Sequence, residues 1–227
     1  MTFSEENYLK TIFHLTVIYD GEISTNAIAE RMETKASSVT DMLKKLADKN
    51  LVNYVKYQGV SLTEKGKLCA KMIVRKHRLW EVFLVNKLEF SWDEVHDIAE
   101  QLEHIKSEKL IEKLDKFLNF PTEDPHGDPI PNANGQIAEN EKHLLSKLSE
   151  NQTAICVGVK DTSSEFLKYL DNIGIALGSK IEILHIEIFD LSFRIKVNQK
   201  EITISNKVAC NLLVKSMRSD RSDRSEM

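Results

Sequence analysis

The 227-residue sequence has few of the features that mark secreted, membrane or disulfide-stabilised proteins. Its three cysteines, Cys69, Cys156 and Cys210, are odd in number and far apart, which predicts reduced thiols in a cytoplasmic protein. No apolar run approaches the roughly 20 residues of a membrane-spanning helix, and the first residues lack the basic and apolar regions of a signal peptide. We therefore expect neither a membrane partner nor a disulfide framework or zinc knuckle.

Proline is scarce and confined to one place. All four prolines lie within residues 121–131, which predicts an ordered turn or linker between parts of the chain. We predict a winged-helix domain at 1–71, a helical domain with its linker at 72–150, and an SH3-like domain at 151–217. The last residues, 218–227, repeat Arg, Ser and Asp and are expected to form a disordered tail.

The first 70 residues combine a helix-turn-helix with a β-hairpin. Apolar spacing predicts helices at 4–19, with Ser4 as N-cap, from Ser24 to Met32, and at 36–49; alternation predicts strands at 51–55 and 60–63. This order is typical of a winged helix, which usually binds DNA but sometimes serves for dimerisation. Hydroxyl, aromatic and lysine side chains suit phosphate and base-edge contacts. The predicted DNA-contacting residues are Thr25, Lys35, Ser37, Ser38, Thr40, Lys44, Lys56 and Tyr57.

Charge is unevenly distributed in a chain whose net charge is −4. Residues 35–71 hold eight lysines against three acidic residues, whereas residues 72–145 hold nine basic residues against fifteen acidic ones. Such a division suggests two partners of opposite charge, for example DNA phosphate and a metal cation. Chance clustering on solvated faces would give the same pattern.

The C-terminal third changes to short alternating apolar runs. Strands are predicted around 155–159, 181–183, 186–188, 193–197 and 202–204, with a helix at about 162–172. Turn-separated strands over about 65 residues predict a small SH3-like β-barrel. The fold class is therefore mainly α, with α+β modules at both ends.

Histidine and glutamate concentrate on two predicted helices, 64–89 and 92–118. His77 and Glu81 are four residues apart on the first, and His96, Glu100, Glu103 and His104 are expected to share one face of the second. Two imidazoles and two carboxylates along one stripe are costly to bury unless a cation neutralises them. The convergence of these residues favours a divalent metal site. The simpler interpretation is a polar helix face that is exposed to solvent.

Several motifs in the same order resemble the diphtheria-toxin-repressor family, which includes iron-dependent repressors and manganese transport regulators. They are Glu6-Asn7-Tyr8-Leu9-Lys10-Thr11-Ile12, the winged helix, Arg75-Lys76-His77-Arg78-Leu79, Glu94-Val95-His96-Asp97, Leu102-Glu103-His104 and Pro125-His126-Gly127-Asp128-Pro129-Ile130-Pro131. The likeness is close over residues 4–131 and looser in the β domain.

The resemblance implies two metal sites. The activating site would take ligands at Asn7, Glu100, Glu103 and His104, and the ancillary site at His77, Glu81 and His96. In members with a Pro-His-Gly segment, the positions of Asp124 and His126 also bind metal. A side chain of the C-terminal domain, from Asp161 to Glu165, can contribute as well.

Two departures from the iron-type members favour manganese. Those members usually have a thiol at the Glu100 position and a methionine at the Asn7 position, and oxygen ligands suit a harder ion than sulfur does. Mn²⁺ is therefore the predicted cofactor and Fe²⁺ the alternative. The binuclear manganese type has a glutamate where this chain has Lys10, which cannot ligate while protonated, so two separate sites are expected.

The resemblance implies a homodimeric repressor that binds a palindromic DNA operator of metal-uptake genes when metal is bound, and no small organic substrate. Three alternatives stay open. A metal-dependent hydrolase would use the same ligands, although no nucleophile, phosphate loop or HExxH motif accompanies them. The protein could instead be a metal-independent winged-helix regulator, in which the His/Glu cluster is merely a polar face. In the third alternative the SH3-like domain is the functional module and binds a proline-rich segment.

Overall fold

The computed structural model describes residues 1–19, 21–138 and 141–216, which form two compact units. The first unit comprises Met1–Glu89, His96–Thr122 and Pro129–Ala138. The second comprises Phe90–Val95, Glu123–Asp128 and residues 141–216. The predicted tail at 218–227 lies outside the described residues. Among the described residues, no helix is both long and apolar enough to cross a membrane.

The first unit opens with the winged helix. Its elements are α1 (Phe3–Ile18), α2 (Thr25–Arg31), α3 (Ala36–Asp48), β1 (Val52–Val55) and β2 (Gly59–Leu62). The predicted N-cap Ser4 is wrong: Thr2 caps α1, because its hydroxyl accepts from the Glu5 N–H while the Glu5 carboxylate accepts from the Thr2 N–H. The two strands pair antiparallel, and the apolar faces of all three helices form one core with them.

A long helix, α4 (Glu64–Leu88), follows the wing directly. It begins tightly packed against the segment between α3 and β1, since a Cβ added at Gly66 would lie 1.8 Å from the Leu51 carbonyl oxygen. Thr63 caps the helix through its hydroxyl, which accepts from the Gly66 N–H at 3.0 Å. Glycine is thus required where the head meets the helix that carries His77 and Glu81.

The predicted continuous helix at 92–118 is wrong. The chain forms α5 (Val95–Leu102), a turn through Glu103 and His104, and then α6 (Glu108–Phe117), which Ser107 caps. His96 and Glu100 share a helical face as expected, but Glu103 and His104 lie beyond the end of that helix. Periodicity did not reveal the break because α5 and α6 each have apolar residues at three- and four-residue spacing, which the prediction extended across the short turn between them.

The second unit is an antiparallel sheet with two short helices. Its strands are β3 (His143–Leu144), β4 (Thr153–Val159), β5 (Lys180–Ile186), β6 (Phe193–Val197), β7 (Lys200–Ile204) and β8 (Leu212–Ser216), in the order β3-β8-β4-β5-β6-β7. The helices are α7 (Ser164–Ile173) and α8 (Asn206–Ala209), and a 3₁₀ turn spans Leu145–Lys147. β3 comes from residues predicted to be linker.

One pair of predicted strands is wrong. The runs around 181–183 and 186–188 form a single strand, β5, whose pairing with β6 shifts register between Ile183 and His185. Such a bulge disturbs the two-residue alternation without ending the strand. Ile188 lies past the strand and is 88% exposed.

Candidate metal centre

Lys10 and two glutamates join α1 to the α5 region. The Lys10 Nζ lies 3.1 Å from Oε1 of Glu100, and 2.7 and 2.8 Å from the two carboxylate oxygens of Glu103. The Glu103 side chain is fully buried, and that of Lys10 is 11% exposed. Burial by itself raises the pKa of both carboxyls. Lys10 and the neighbouring imidazoles lower these pKa values by a larger amount, so both lie below the usual range.

His77 links the two predicted metal sites. Its Nδ1 lies 2.7 Å from Glu103, and its Nε2 lies 3.0 Å from Glu81, four residues further along α4. Burial opposes a charged imidazole, but the hydrogen bonds to the two carboxylates outweigh it and raise the pKa of His77 to about 9. The imidazole is therefore protonated at neutral pH.

Three of the predicted ancillary ligands converge. His77, Glu81 and His96 each offer a ligand atom, all within 4.8 Å of one another. The Nδ1 of His96 lies 3.5 Å from Glu81, and its Nε2 lies 3.8 Å from Glu100. The half-exposed His96 side chain thus completes a closed circuit that runs through both predicted sites, in which carboxylates alternate with Lys10 and two imidazoles.

His104 is oriented by a residue that the sequence analysis did not single out. The His104 Nδ1 lies 2.6 Å from the Glu6 carboxylate, while its Nε2 lies 3.8 Å from Oε1 of Glu103. Phe3 stacks on the imidazole with a centroid distance of 4.5 Å. A carboxylate on one ring nitrogen is the usual device for aiming the other nitrogen at a metal.

The position of Glu6 in the sequence indicates that it is a buried acidic residue. It precedes the apolar residue Leu9 by three positions and so lies next to the buried stripe of α1, where an acidic residue needs a partner. Both Glu6 and Leu9 are buried in the structure. Glu6 lies on α1, away from the two predicted helices on which histidine and glutamate concentrate, so their spacing did not reveal it.

Asn7 provides a test of whether these residues fit a metal ion. Its Oδ1 is buried and has no hydrogen-bond partner among the described residues, which is uncommon for a buried amide oxygen. An amide oxygen, carboxylates and an imidazole together form the oxygen-rich donor set that Mn²⁺ prefers. The residues fit a hard divalent cation.

The remaining predicted ligands belong to the second unit. Asp124 is buried, and one of its oxygens accepts hydrogen bonds from the N–H groups of His126 and Asp128 at 2.8 and 2.9 Å. His126 is also buried, with its Nε2 2.7 Å from the Trp92 carbonyl oxygen. Asp161 accepts from the Ser163 N–H at 2.9 Å just before α7, and Glu165 is exposed on that helix.

The predicted DNA-contacting residues lie on the winged helix and around one groove. Thr25, Thr40, Lys56 and Tyr57 line this groove between α2, α3 and the wing. Tyr57 is 93% exposed. The Lys56 ammonium lies over its ring, 4.8 Å from the centroid. Exposed side chains at the start of α3 and along it complete the predicted set: Lys35, Ser37, Ser38 and Lys44.

Comparison with known proteins agrees with this architecture. Successive parts of the chain match three family models: the N-terminal DNA-binding domain of iron-dependent repressors at residues 1–60, their metal-binding and dimerisation domain at 63–132, and the FeoA domain at 143–216. A solved structure described as a manganese-dependent transcriptional repressor in complex with manganese is 35% identical, with a TM-score of 0.83. The aligned region covers 94% of this chain and 100% of the chain in that structure. The chain belongs to the diphtheria toxin repressor family.

Curated relatives extend the comparison. The iron-dependent repressor IdeR of Mycobacterium tuberculosis is 38% identical over 127 residues, which are 56% of this chain and 54% of the relative. The diphtheria toxin repressor of Corynebacterium glutamicum is 27% identical over 192 residues, or 79% of this chain and 83% of the relative. The chain thus spans about half the length of the IdeR relatives that it matches. The predicted family, winged helix and SH3-like C-terminal domain are confirmed.

Proposed function

We propose that this protein is a homodimeric transcriptional repressor that binds a palindromic operator when Mn²⁺ occupies the cluster between α1 and α5. Its similarity to a manganese-dependent repressor supports the choice of metal, as does the lack of sulfur among the nearby ligands. Fe²⁺ is the alternative, given the likeness to IdeR. Metal-uptake genes are the proposed targets.

The observation that carries this proposal is the position of the cluster at the junction of two predicted domains. Asn7 and Glu6 lie on α1, which packs in the core of the winged head. The Glu6 carboxylate contacts His104, which lies 98 residues further along the chain in the helical part that follows the winged head. A ligand held by both parts fixes the orientation of α3, the helix proposed to enter the DNA major groove.

The proposed activating ligands are Asn7, Glu100, Glu103 and His104, and the ancillary ligands are His77, Glu81 and His96. A divalent cation there would supply the positive charge that several buried carboxylates require. Glu6 would orient His104, and Phe3 would cover the imidazole. Asp124, His126, Asp161 and Glu165 stay predicted ligands, for which only the family likeness gives support.

An exposed apolar face on the helical part supports a homodimer. Leu88, Leu110, Phe117 and Phe120 are between 39% and 62% exposed, and Phe83 contacts Phe117 with a centroid distance of 6.2 Å. Large apolar side chains grouped on a surface usually mark an interface. We propose that two copies of the chain meet through α4 and α6, which sets the spacing of the two recognition helices.

Titration of operator binding with metal tests the function. The operator is first selected from a random duplex library with Mn²⁺-saturated protein, and binding is then measured by fluorescence anisotropy in chelator, Mn²⁺ and Fe²⁺ under anaerobic conditions. We expect Mn²⁺ to tighten binding about 5–150-fold, the range of a coupling free energy of 1–3 kcal/mol. Glu103→Gln should abolish the effect, whereas Glu112→Gln, an exposed carboxylate on α6, should not.

Equal operator affinity with and without metal would refute the proposal in favour of a metal-independent regulator. The same samples allow a control for hydrolytic turnover. A metal-dependent hydrolase would attack its substrate with a metal-bound water. We expect no metal-dependent hydrolysis of phosphate or peptide substrates, and turnover in these samples would favour the hydrolase instead.

A further inference from the structure

Lys10 contacts two of the four proposed activating ligands. Its ammonium touches both Glu100 and Glu103, and the three groups come from two helices and the turn after α5. The contact joins residues 93 positions apart, so it is tertiary and not a helical side-chain pair. The side chain is mostly buried, so this ion pair is shielded from solvent more than a surface salt bridge would be.

The surroundings show why a cation is needed there. The Glu103 carboxylate is fully buried between Lys10 and His77. Removing one partner of a buried charge pair leaves the other charge uncompensated, which is strongly unfavourable. The carboxylates that would bind a metal are therefore already paired with cations that belong to the chain.

We propose that Lys10 is a tethered cation that holds α1 against the α5 region in the metal-free protein, and that it must leave the carboxylates when metal binds. The inference rests on the proposed function, because it assigns a competitor to the same site. Lys10 and a metal ion would close the same junction, so activation exchanges one cation for another. Lys10 thereby sets the metal concentration at which the repressor responds.

A direct measurement of metal affinity tests this inference. Free Mn²⁺ is counted by its electron paramagnetic resonance signal in titrations of the full chain at pH 7. Lys10→Leu removes the charge and adds no ligand atom, and we expect it to tighten Mn²⁺ binding about tenfold or more, since one charge contact in a partly buried site has at least that effect. Lys10→Arg keeps the charge and should stay within about threefold of wild type.

Two further variants separate this inference from the function on which it rests. Lys113→Leu removes an exposed lysine on α6 and should leave the affinity unchanged. Glu103→Gln should weaken Mn²⁺ binding; if it does not, the proposed metal site is wrong. If Glu103→Gln weakens binding but Lys10→Leu binds Mn²⁺ no more tightly than wild type, the role of Lys10 alone is refuted.

A second measurement uses no metal. Hydrogen exchange in chelator should be faster along α1 in Lys10→Leu than in wild type or Lys10→Arg, because the contact to α5 is lost. Unchanged exchange along α1 would overturn the tethering role. Circular dichroism checks that the variant is folded, and Lys10→Ala replaces it in both measurements if it is not.

Discussion

Loss of the proton from His77 should make the metal-free protein less stable as the pH rises. The imidazole lies between Glu103 and Glu81, and these hydrogen bonds raise its pKa to about 9 in the folded chain. In the unfolded chain the pKa returns to about 6.5. A group whose pKa is higher in the folded state stabilises that state fully below the unfolded value, and this stabilisation is lost as the pH passes the folded value.

The size of the effect follows from the two pKa values. Each pKa unit corresponds to about 1.4 kcal/mol, so a difference of about 2.5 units gives at most about 3–4 kcal/mol. Nearly all of it is present at about pH 6 and very little at about pH 10, with the steepest loss between about 7 and 9. That is a large part of the roughly 5–15 kcal/mol that stabilises an ordinary domain.

Urea unfolding in chelator at a series of pH values measures this loss. Trp80 lies on α4, one turn from His77, and reports on the first unit when Trp92 is replaced by phenylalanine. We expect His77→Gln in this background to be less stable than its parent at pH 6.5 by about 3 kcal/mol, and nearly equal to it at pH 9.5.

His143, exposed on β3 in the second unit, provides the matched control as His143→Gln. Its unfolding by Trp80 fluorescence should follow the parent at every pH. A difference between His77→Gln and the parent that does not change with pH would refute the reasoning, because it would show that packing and not protonation stabilises the ring.

Three further predictions concern the winged helix. Gly66→Ala should lower the free energy of unfolding by about 2–3 kcal/mol, because the new Cβ meets the Leu51 carbonyl oxygen at 1.8 Å; a gain of up to about 1 kcal/mol, as in an open helix, would contradict this close packing. Ser24→Ala should cost about 1 kcal/mol in urea unfolding through loss of the α2 cap, and Ser24→Asp should restore it. Lys56→Ala should reduce the salt dependence of operator binding by about one counterion, whereas Lys180→Ala in the second unit should not; equal slopes for both would show that the wing does not touch phosphate.

Local patterns predicted most of the winged helix. The apolar residues of α1 to α3 recur at helical spacing, and Ser24 and Thr63 cap helices through hydrogen bonds to residues three positions ahead. These signals act within a few residues, so they are readable without a fold. The α5–α6 break was missed because the residues on both sides of it have apolar side chains at helical spacing. β5 was predicted as two strands because its bulge shifts the alternation in the middle of the strand.

The sequence by itself determined which chemistry is available: oxygen and imidazole donors without sulfur in the predicted metal site, on a chain with a winged-helix head. The tertiary structure decided which groups meet. Only folding brings Lys10 onto Glu103 and Glu6 onto His104, across 93 and 98 residues of chain. Folding also places His77 between the two predicted sites, so that its imidazole contacts a carboxylate of each site. The physical reason is that a buried carboxylate must find a cation, and which cation lies within reach depends on helix packing and not on sequence spacing.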